Sequence, residues 1–397
     1  MSKRLENTLV PEYRFPEFEN SGSWGYIYGN EIFDTISNKN HNSDLPILAI
    51  TQDQGAIPRD LIDYHVSVSD KSIESYKVVE QGDFIISLRS FQGGIEFSNY
   101  LGLCSPAYII LRNKLEIAND FYRLYFKSSP FIQDLNKNLE GIRDGKMVSY
   151  KHFSEILLPF PKPAEQQKIA SCLSSLDDLI EAENQKLAAL QDHKNGMMQQ
   201  LFPAKGKKVP QLRFEEFEDS GDWVEKTLSD VCEMKAGTFV NASEIKDEQT
   251  ENLFPCYGGN GLRGFTVSFT HTGNYSLIGR QGALCGNITF VSGKFHATEH
   301  AVVATQKKGI NTSWLFYLLN ELNLNQFATG QAQPGLSVQN LEKIETLITT
   351  TPKEQEKIAN CLSSIDDLIT QQSEKINGLK AHKKGLMQGL FPKSSNT

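Results

Sequence analysis

The segment EQQKIASCLSSLDDLI, residues 165–180, returns as EQEKIANCLSSIDDLI at residues 354–369, an offset of 189 (165 to 354). The same offset carries His193-Lys194 onto His382-Lys383, Gly196 onto Gly385, and Leu201-Phe202-Pro203 onto Leu390-Phe391-Pro392. Upstream, VPEYRFPEFENSGSW at residues 10–24 returns as VPQLRFEEFEDSGDW at residues 209–223, an offset of 199 (10 to 209). Each half therefore runs in one order: opening segment, variable block, helix-like segment, Leu-Phe-Pro. The second variable block is the shorter. Two copies are too few to stack as a solenoid, so the repeat predicts a duplicated module with pseudo-twofold symmetry.

The helix-like segments carry a heptad stripe. Ile169, Leu176, Leu190 and Met197 recur at sevens and fourteens, flanked by Cys172, Leu173, Leu179, Ile180 and Leu187. Ile358, Ile365, Leu379 and Leu386 repeat the pattern with Cys361, Leu362, Leu368, Ile369 and Ile376. Such a stripe is wider than a two-stranded seam, so each helix should pack on its twin and on something else. The expected pairing set is Ile169, Leu173, Leu176, Ile180, Leu187 and Leu190 with Ile358, Leu362, Ile365, Ile369, Ile376 and Leu379. Glu183 and Gln372 occupy equivalent seam positions, where a polar residue can fix register.

Thr351-Pro352-Lys353-Glu354 reads as an N-cap, a proline at the first helical position and a glutamate closing a capping box. Lys162-Pro163-Ala164-Glu165 lacks the capping hydroxyl. Pro203 and Pro392 should end the helices, giving each about 38 residues and about 57 Å at ~1.5 Å per residue. The predicted class is α+β: two mixed α/β domains in tandem, each followed by a long helix, the helices forming an antiparallel coiled coil. The expected partition is a domain at 1–161, a helix at 162–203, a domain at 204–350, a helix at 351–392 and a tail at 393–397. Because both helices carry the pattern within one chain, pairing inside the chain is favoured over dimerisation between copies.

With 39% hydrophobic and 22% charged residues in 397, the chain reads as globular rather than disordered. No apolar run reaches 18 residues, and the first 15 lack the apolar core of a signal peptide, so a cytoplasmic, non-membrane protein is expected. The six cysteines form no CxxC pair, and buried free thiols are the expected reading. The net charge of −8 argues against nucleic acid as a bulk property. Binding depends on a local face, however, and residues 257–320 carry Arg263, Arg280, Lys294, Lys307 and Lys308 against Glu299 alone.

Both variable blocks mix strand-like stretches (83–87 and 106–111; 275–278, 287–291 and 301–304) with an aromatic-rich helix at 119–127 and at 313–322. Each also holds a polar glycine-rich loop beside a strand: SLRSFQGG at 87–94 and GRQGA at 279–283. Arg89, Ser90 and Gln92 in the first, and Arg280 and Gln281 in the second, are the side-chain types that read guanine and adenine edges, with glycine allowing close approach. They are also ordinary surface residues. A second matched pair, GIRDGKMVS at 141–149 and GQAQPGLS at 330–337, precedes each helix. Arg143 and Lys146 can meet phosphates, and Gln331 and Gln333 bases or backbone; the alternative is a turn docking the block onto its helix.

Two motifs tempt and fail. His296-Ala-Thr-Glu-His300 matches the HxxEH zinc pattern, but Ala-Val-Val-Ala follows and indicates a strand, on which residues i and i+4 stand about 13 Å apart. A metal-dependent hydrolase is thus the weaker alternative, and His300 can instead face DNA. Gly259-Asn-Gly261-Leu-Arg-Gly264 satisfies GxGxxG, yet it runs into Phe265-Thr-Val-Ser-Phe, with no helix to receive a pyrophosphate. It reads as a loop that can approach DNA through Tyr257, Asn260 and Arg263. No catalytic constellation and no metal site emerge.

Taken in order and in duplicate, the Pro-x-x-Glu-Gln-x-Lys-Ile-Ala start at Pro163 and its counterpart Pro352-Lys-Glu-Gln-Glu-Lys-Ile-Ala359 carry a resemblance. With them go the two Leu-Phe-Pro ends, Ile278-Gly-Arg-Gln-Gly-Ala283 and Thr329-Gly-Gln-Ala-Gln-Pro-Gly-Leu-Ser337. The chain resembles the specificity subunit of type I restriction–modification enzymes over nearly its whole length. The resemblance implies a non-catalytic subunit that reads a bipartite double-stranded DNA target, one half per target-recognition domain, at a spacing set by the helices. It also implies docking of two modification (methyltransferase) subunits, joined by restriction (translocase/nuclease) subunits. Those partners would use S-adenosylmethionine, ATP and Mg²⁺, with no cofactor in this chain. A coiled-coil structural adapter is the rival reading, and it predicts no sequence-dependent DNA binding.

Overall fold

The computed structural model describes residues 10–62, 73–137, 148–282, 284–330 and 334–392. The chain forms two compact units, and they do not follow chain order. The first takes the residues up to Asn184 and those from Lys375 onward; the second takes Gln185–Glu374.

Two helices of 39 residues, Pro163–Leu201 and Pro352–Leu390, are the longest elements. In the first unit the early part of one runs antiparallel to the late part of the other. Lys375 Nζ meets Glu183 Oε1 at 2.5 Å, Lys383 pairs with Asp177, and Leu390 and Phe391 share a core with Ile169 and Leu173. The second unit has the reciprocal arrangement: Lys194 meets Asp366 at 2.6 Å, and Leu201 and Phe202 share a core with Ile358 and Leu362. Ile169, Leu173, Ile180, Ile358, Leu362, Ile365 and Ile376 are buried; Leu176, Leu187, Leu190, Ile369 and Leu379 are half-buried. Gln372 is buried and Glu183 half-buried, as seam positions require. The stripe has an outer edge at Leu179 and Leu368, equivalent residues exposed by 43% and 50%.

The helix starts differ from the expected capping box. Glu354 does not return to the Thr351 N–H, which is taken by the Thr349 hydroxyl at 3.2 Å. Its carboxylate instead accepts from Thr349 Oγ1 at 2.5 Å and from Arg213 Nε and Nη2 at 2.8 and 3.0 Å. Glu165 receives Arg14 in the same way, at 2.7 and 2.8 Å. Around each pair the contacts are duplicated. Arg14 and Arg213 each donate to a glycine carbonyl, of Gly22 and Gly221. Lys168 pairs with Glu17 and Lys357 with Glu216. The Gln166 and Gln355 side chains each accept from a backbone N–H of their own block, at Ala118 and Asn311. The opening segment and the interior of each variable block are therefore both tied to a helix start.

In the first unit an antiparallel sheet runs Phe33–Ile36, Ile109–Asn113, Phe84–Ile86, Glu96–Phe97. In the second the equivalent sheet runs Cys232–Ala236, Ala301–Gln306, Tyr275–Gly279, Ile288–Val291. The aromatic-rich stretches form Asn119–Tyr125 and Thr312–Glu321 and fill the cores, where Phe121, Tyr122 and Trp314 are buried. The second unit adds a sheet of Gly261–Thr266, Phe254–Gly258, Lys294–Ala297 and His271–Thr272. All six cysteines are free thiols, and burial pushes Cys104 and Cys232 up to about 12. Among the described residues no helix is long and apolar enough to cross a membrane.

Candidate nucleic-acid interface

The two Arg/Gln loops occupy one topological position. The first joins Phe84–Ile86 to Glu96–Phe97, and the second joins Tyr275–Gly279 to Ile288–Val291, the third and fourth strands of their sheets. In the first loop Arg89 and Gln92 are exposed. Ser90 is not: it is 1% exposed, and its hydroxyl accepts from the Ser87 N–H at 2.9 Å. It shapes the loop, which corrects its expected place on the reading surface. Arg143 and Lys146 lie outside the described residues.

The second loop is held mostly by backbone bonds, with Asn325 Nδ2 donating to Cys285 O at 2.7 Å. Arg280 N–H donates to His300 O at 2.9 Å, Leu336 N–H to Arg280 O at 2.9 Å, and Gly282 N–H to Pro334 O at 3.0 Å. The turn at Gly258–Gly261 lies against it so closely that a Cβ at Gly279 would come within 2.1 Å of Gly259 O. Only glycine permits this approach. The result is a groove of about 510 Å³ that brings Asn260, Arg263, Gln281 and His300 together, with Gly258, Gly259, Gly261, Leu262 and Gly282. Arg280 directly precedes Gln281 in the chain and is half-buried. Neither Arg263 nor Arg280 forms an ion pair among the described residues, and Glu299 pairs with His300 at 3.2 Å.

Tyr257 does not join this groove. Its ring packs edge-on against Phe295 at 6.0 Å within a small core, and burial pushes its phenol up. Gln331 and Gln333 lie outside the described residues. Beyond Asn260 the surface continues into a cleft of about 260 Å³ lined by Asn260, Asn287, Asn320 and Asn323. These amides are spread over loop, helix and turn, and no local sequence signal unites them.

Neither tempting motif lies on a helix, but HATEH is not the continuous strand expected: the strand ends at Ala297, and Glu299 and His300 form the turn before the next one. His296 sits on Lys294–Ala297, and both its ring nitrogens are engaged, with Ser268 Oγ and Thr238 O, each at 3.1 Å. It has no nitrogen to share with a metal alongside His300. The GxGxxG segment forms the turn and second strand of a hairpin, Phe254–Gly258 with Gly261–Thr266. Among the described residues no three His, Cys, Asp or Glu side chains converge as a metal site.

Comparison with known proteins agrees with this architecture. Residues 27–192 and 220–381 match the type I restriction modification DNA specificity domain, one copy in each half. The chain is 35% identical over 231 residues to the type I restriction enzyme EcoprrI specificity subunit of Escherichia coli, covering 57% of this chain and 56% of that one, about half the relative's length. It is 27% identical over 354 residues to the MjaVIII specificity subunit of Methanocaldococcus jannaschii, covering 82% of this chain and 81% of that protein. The fold is shared with the crystal structure of a type I restriction–modification S subunit from M. genitalium, at 16% identity and a TM-score of 0.61 over 98% of this chain and 100% of the other. A chain from a study of type I restriction–modification complex assembly and conformational transition matches at 17% identity and a TM-score of 0.57, over 95% and 98%. The chain belongs to the family of type I restriction–modification DNA specificity subunits, which are non-catalytic.

Proposed function

We propose that each compact unit reads one half of a bipartite double-stranded DNA target. The paired helices set the spacing between the halves and dock two modification subunits, to which restriction subunits attach in a cytoplasmic complex. The observation that carries this reading is the contrast between frame and loops. The Arg–Glu anchors, lysine pairs and glutamine contacts are duplicated residue for residue. At the equivalent strand connections, Ser87–Gly94 and Gly279–Asn287, the sequences diverge while both present Arg and Gln. A constant frame suits constant partners; divergent loops suit different base sequences.

Docking of a like partner on each unit is supported by identical exposed residues at equivalent helix positions. Ser175, Asp178 and Leu179 are exposed and identical to the exposed Ser364, Asp367 and Leu368. S-adenosylmethionine, ATP and Mg²⁺ would serve the partner subunits, and this chain would supply the address.

The test is co-expression with the neighbouring methyltransferase subunit, followed by mapping of modified adenines. Replacing residues 24–161 with the corresponding block of another family member should change one half-site and leave the other intact. A change in both, or sequence-independent modification, would refute the assignment. The latter is what a structural adapter predicts.

A further inference from the structure

The first reading loop is not held as the second is. Around it a single ammonium gathers three groups from two segments. Lys127 Nζ lies 2.6 Å from Glu96 Oε2, 3.0 Å from Gly93 O and 3.1 Å from Gln52 O. Glu96 is 1% exposed, and among the described residues its carboxylate meets no donor besides that ammonium. A buried carboxylate with one partner fixes that partner, because moving the lysine away would strand the charge. Glu96 directly ends the loop, Gly93 is inside it, and Gln52 belongs to the turn of a different hairpin, Leu48–Thr51 with Gly55–Pro58.

Other contacts seat the same junction. Gln52 Nε2 donates to Arg89 O at 3.4 Å, and Asn136 Nδ2 donates to Phe91 O at 2.6 Å. Gly94 adopts φ +82°, and a Cβ there would come within 1.9 Å of Phe126 O, so the segment carrying Lys127 is pressed onto the loop. On the outer side Gln52, Asp53 and Gln54 are exposed beside Arg89 and Gln92. Among the described residues of the second unit no such ammonium holds the loop, which hangs on backbone bonds to His300, Pro334 and Leu336 and on the Asn325 amide.

From this geometry we infer that Lys127 and Glu96 are positioning residues for the first half-site, clamping the Gln52–Gln54 turn to the Arg89–Gln92 loop so that both read DNA as one surface. The inference rests on the proposal that the Arg89 loop is a reading loop. It adds Gln52 and Gln54, amides suited to adenine edges, to the surface that decides the first half-site.

The test uses the full chain co-expressed with its modification subunits, and duplexes altered in either half of the mapped target. Lys127→Met should reduce discrimination at the first half-site by about tenfold or more while the second stays within about twofold. The double variant K127M/E96M removes both charges, strands neither, and should fold with unchanged Tm yet show the same one-sided loss. Full discrimination at the first half-site in the folded double variant would overturn the clamp, as would equal loss at both. Arg89→Ala with Gln92→Ala separates the two ideas. If that pair leaves first-half-site discrimination intact, the reading-loop assignment itself falls, and the clamp with it.

Discussion

Arg14 grips Glu165 through two parallel N–H···O bonds, and Arg213 grips Glu354 identically in kind, 141 residues along the chain. Both carboxylates are 1% exposed, and the guanidinium side chains are 8% and 7% exposed. The hydrogen bond that Arg14 donates to Glu165, opposed by burial, raises the already high Arg14 pKa, so the guanidinium stays ionised. Removing one member leaves a buried charge alone. Arg14→Met should therefore lower stability by about 3–5 kcal/mol, whereas Arg14→Met with Glu165→Leu should recover most of the loss. Arg14→Lys should recover little, since an ammonium cannot make the two-pronged contact. Calorimetry of the three variants checks this, and a fully stable Arg14→Met would contradict it.

A second prediction concerns alkaline pH. In the second unit the Tyr317 hydroxyl donates to Asp366 at 2.8 Å, and Lys194, which pairs with Asp366, stands 5.6 Å from the Tyr317 ring. Burial first, and the Asp366 carboxylate second, hold the phenol well above its ordinary range. The folded state therefore keeps a proton that the unfolded state releases above about pH 10, and stability should fall there by up to ~1.4 kcal/mol per pH unit. Tyr317→Phe should remove this contribution and flatten the alkaline limb for the second unit. Tyr122 and Tyr125, also raised by burial, titrate in the first unit, so the parent and variant must be compared. Identical slopes would refute the assignment.

Much of this fold was legible because its signals are local. The seven-residue stripe and the flanking prolines place Pro163–Leu201 and Pro352–Leu390. Alternating β-branched runs place strands such as Ile288–Val291. What could not be read is what long-range partners decide. Glu354 matches a capping box, yet a bidentate arginine from the opening segment outcompetes the single backbone N–H that a cap offers. Ser90 matches a polar loop residue, but its hydroxyl turns inward to a backbone donor. The Asn260, Arg263, Gln281 and His300 groove joins three segments spread over about 40 residues, and only the sheet topology brings them together.

Salt dependence should separate the two arginines of the second unit. Arg263 is exposed on a hairpin strand at the groove's edge, whereas Arg280 is half-buried with its backbone fixed at both N–H and C=O. An exposed edge suits phosphate, and a fixed one suits a base edge. Arg263→Gln should reduce the slope of log affinity against log salt by about 0.9 and weaken all sequences alike. Arg280→Gln should cost about 1–3 kcal/mol on the cognate half-site and leave the slope nearly unchanged. The reverse pattern would exchange their roles.

Helix length offers the sharpest test of how the target is spaced. The helices pass from one compact unit to the other at Asn184/Gln185 and at Glu374/Lys375. Seven residues inserted at both points keep the heptad phase, and each insertion leaves Glu183–Lys375, Asp177–Lys383 and Lys194–Asp366 with their own neighbours. The matched insertion adds about 10.5 Å of helix at ~1.5 Å per residue, equivalent to about three base pairs at ~3.4 Å each. Mapping of modified adenines should then show two unchanged half-sites separated by a spacer about three base pairs longer. An insertion in one helix alone leaves its surplus turns opposite a partner of the old length, and should lower Tm without producing that longer spacer. Altered half-sites at constant spacing would show that the helices serve assembly alone, with distance set by the loops that meet the DNA.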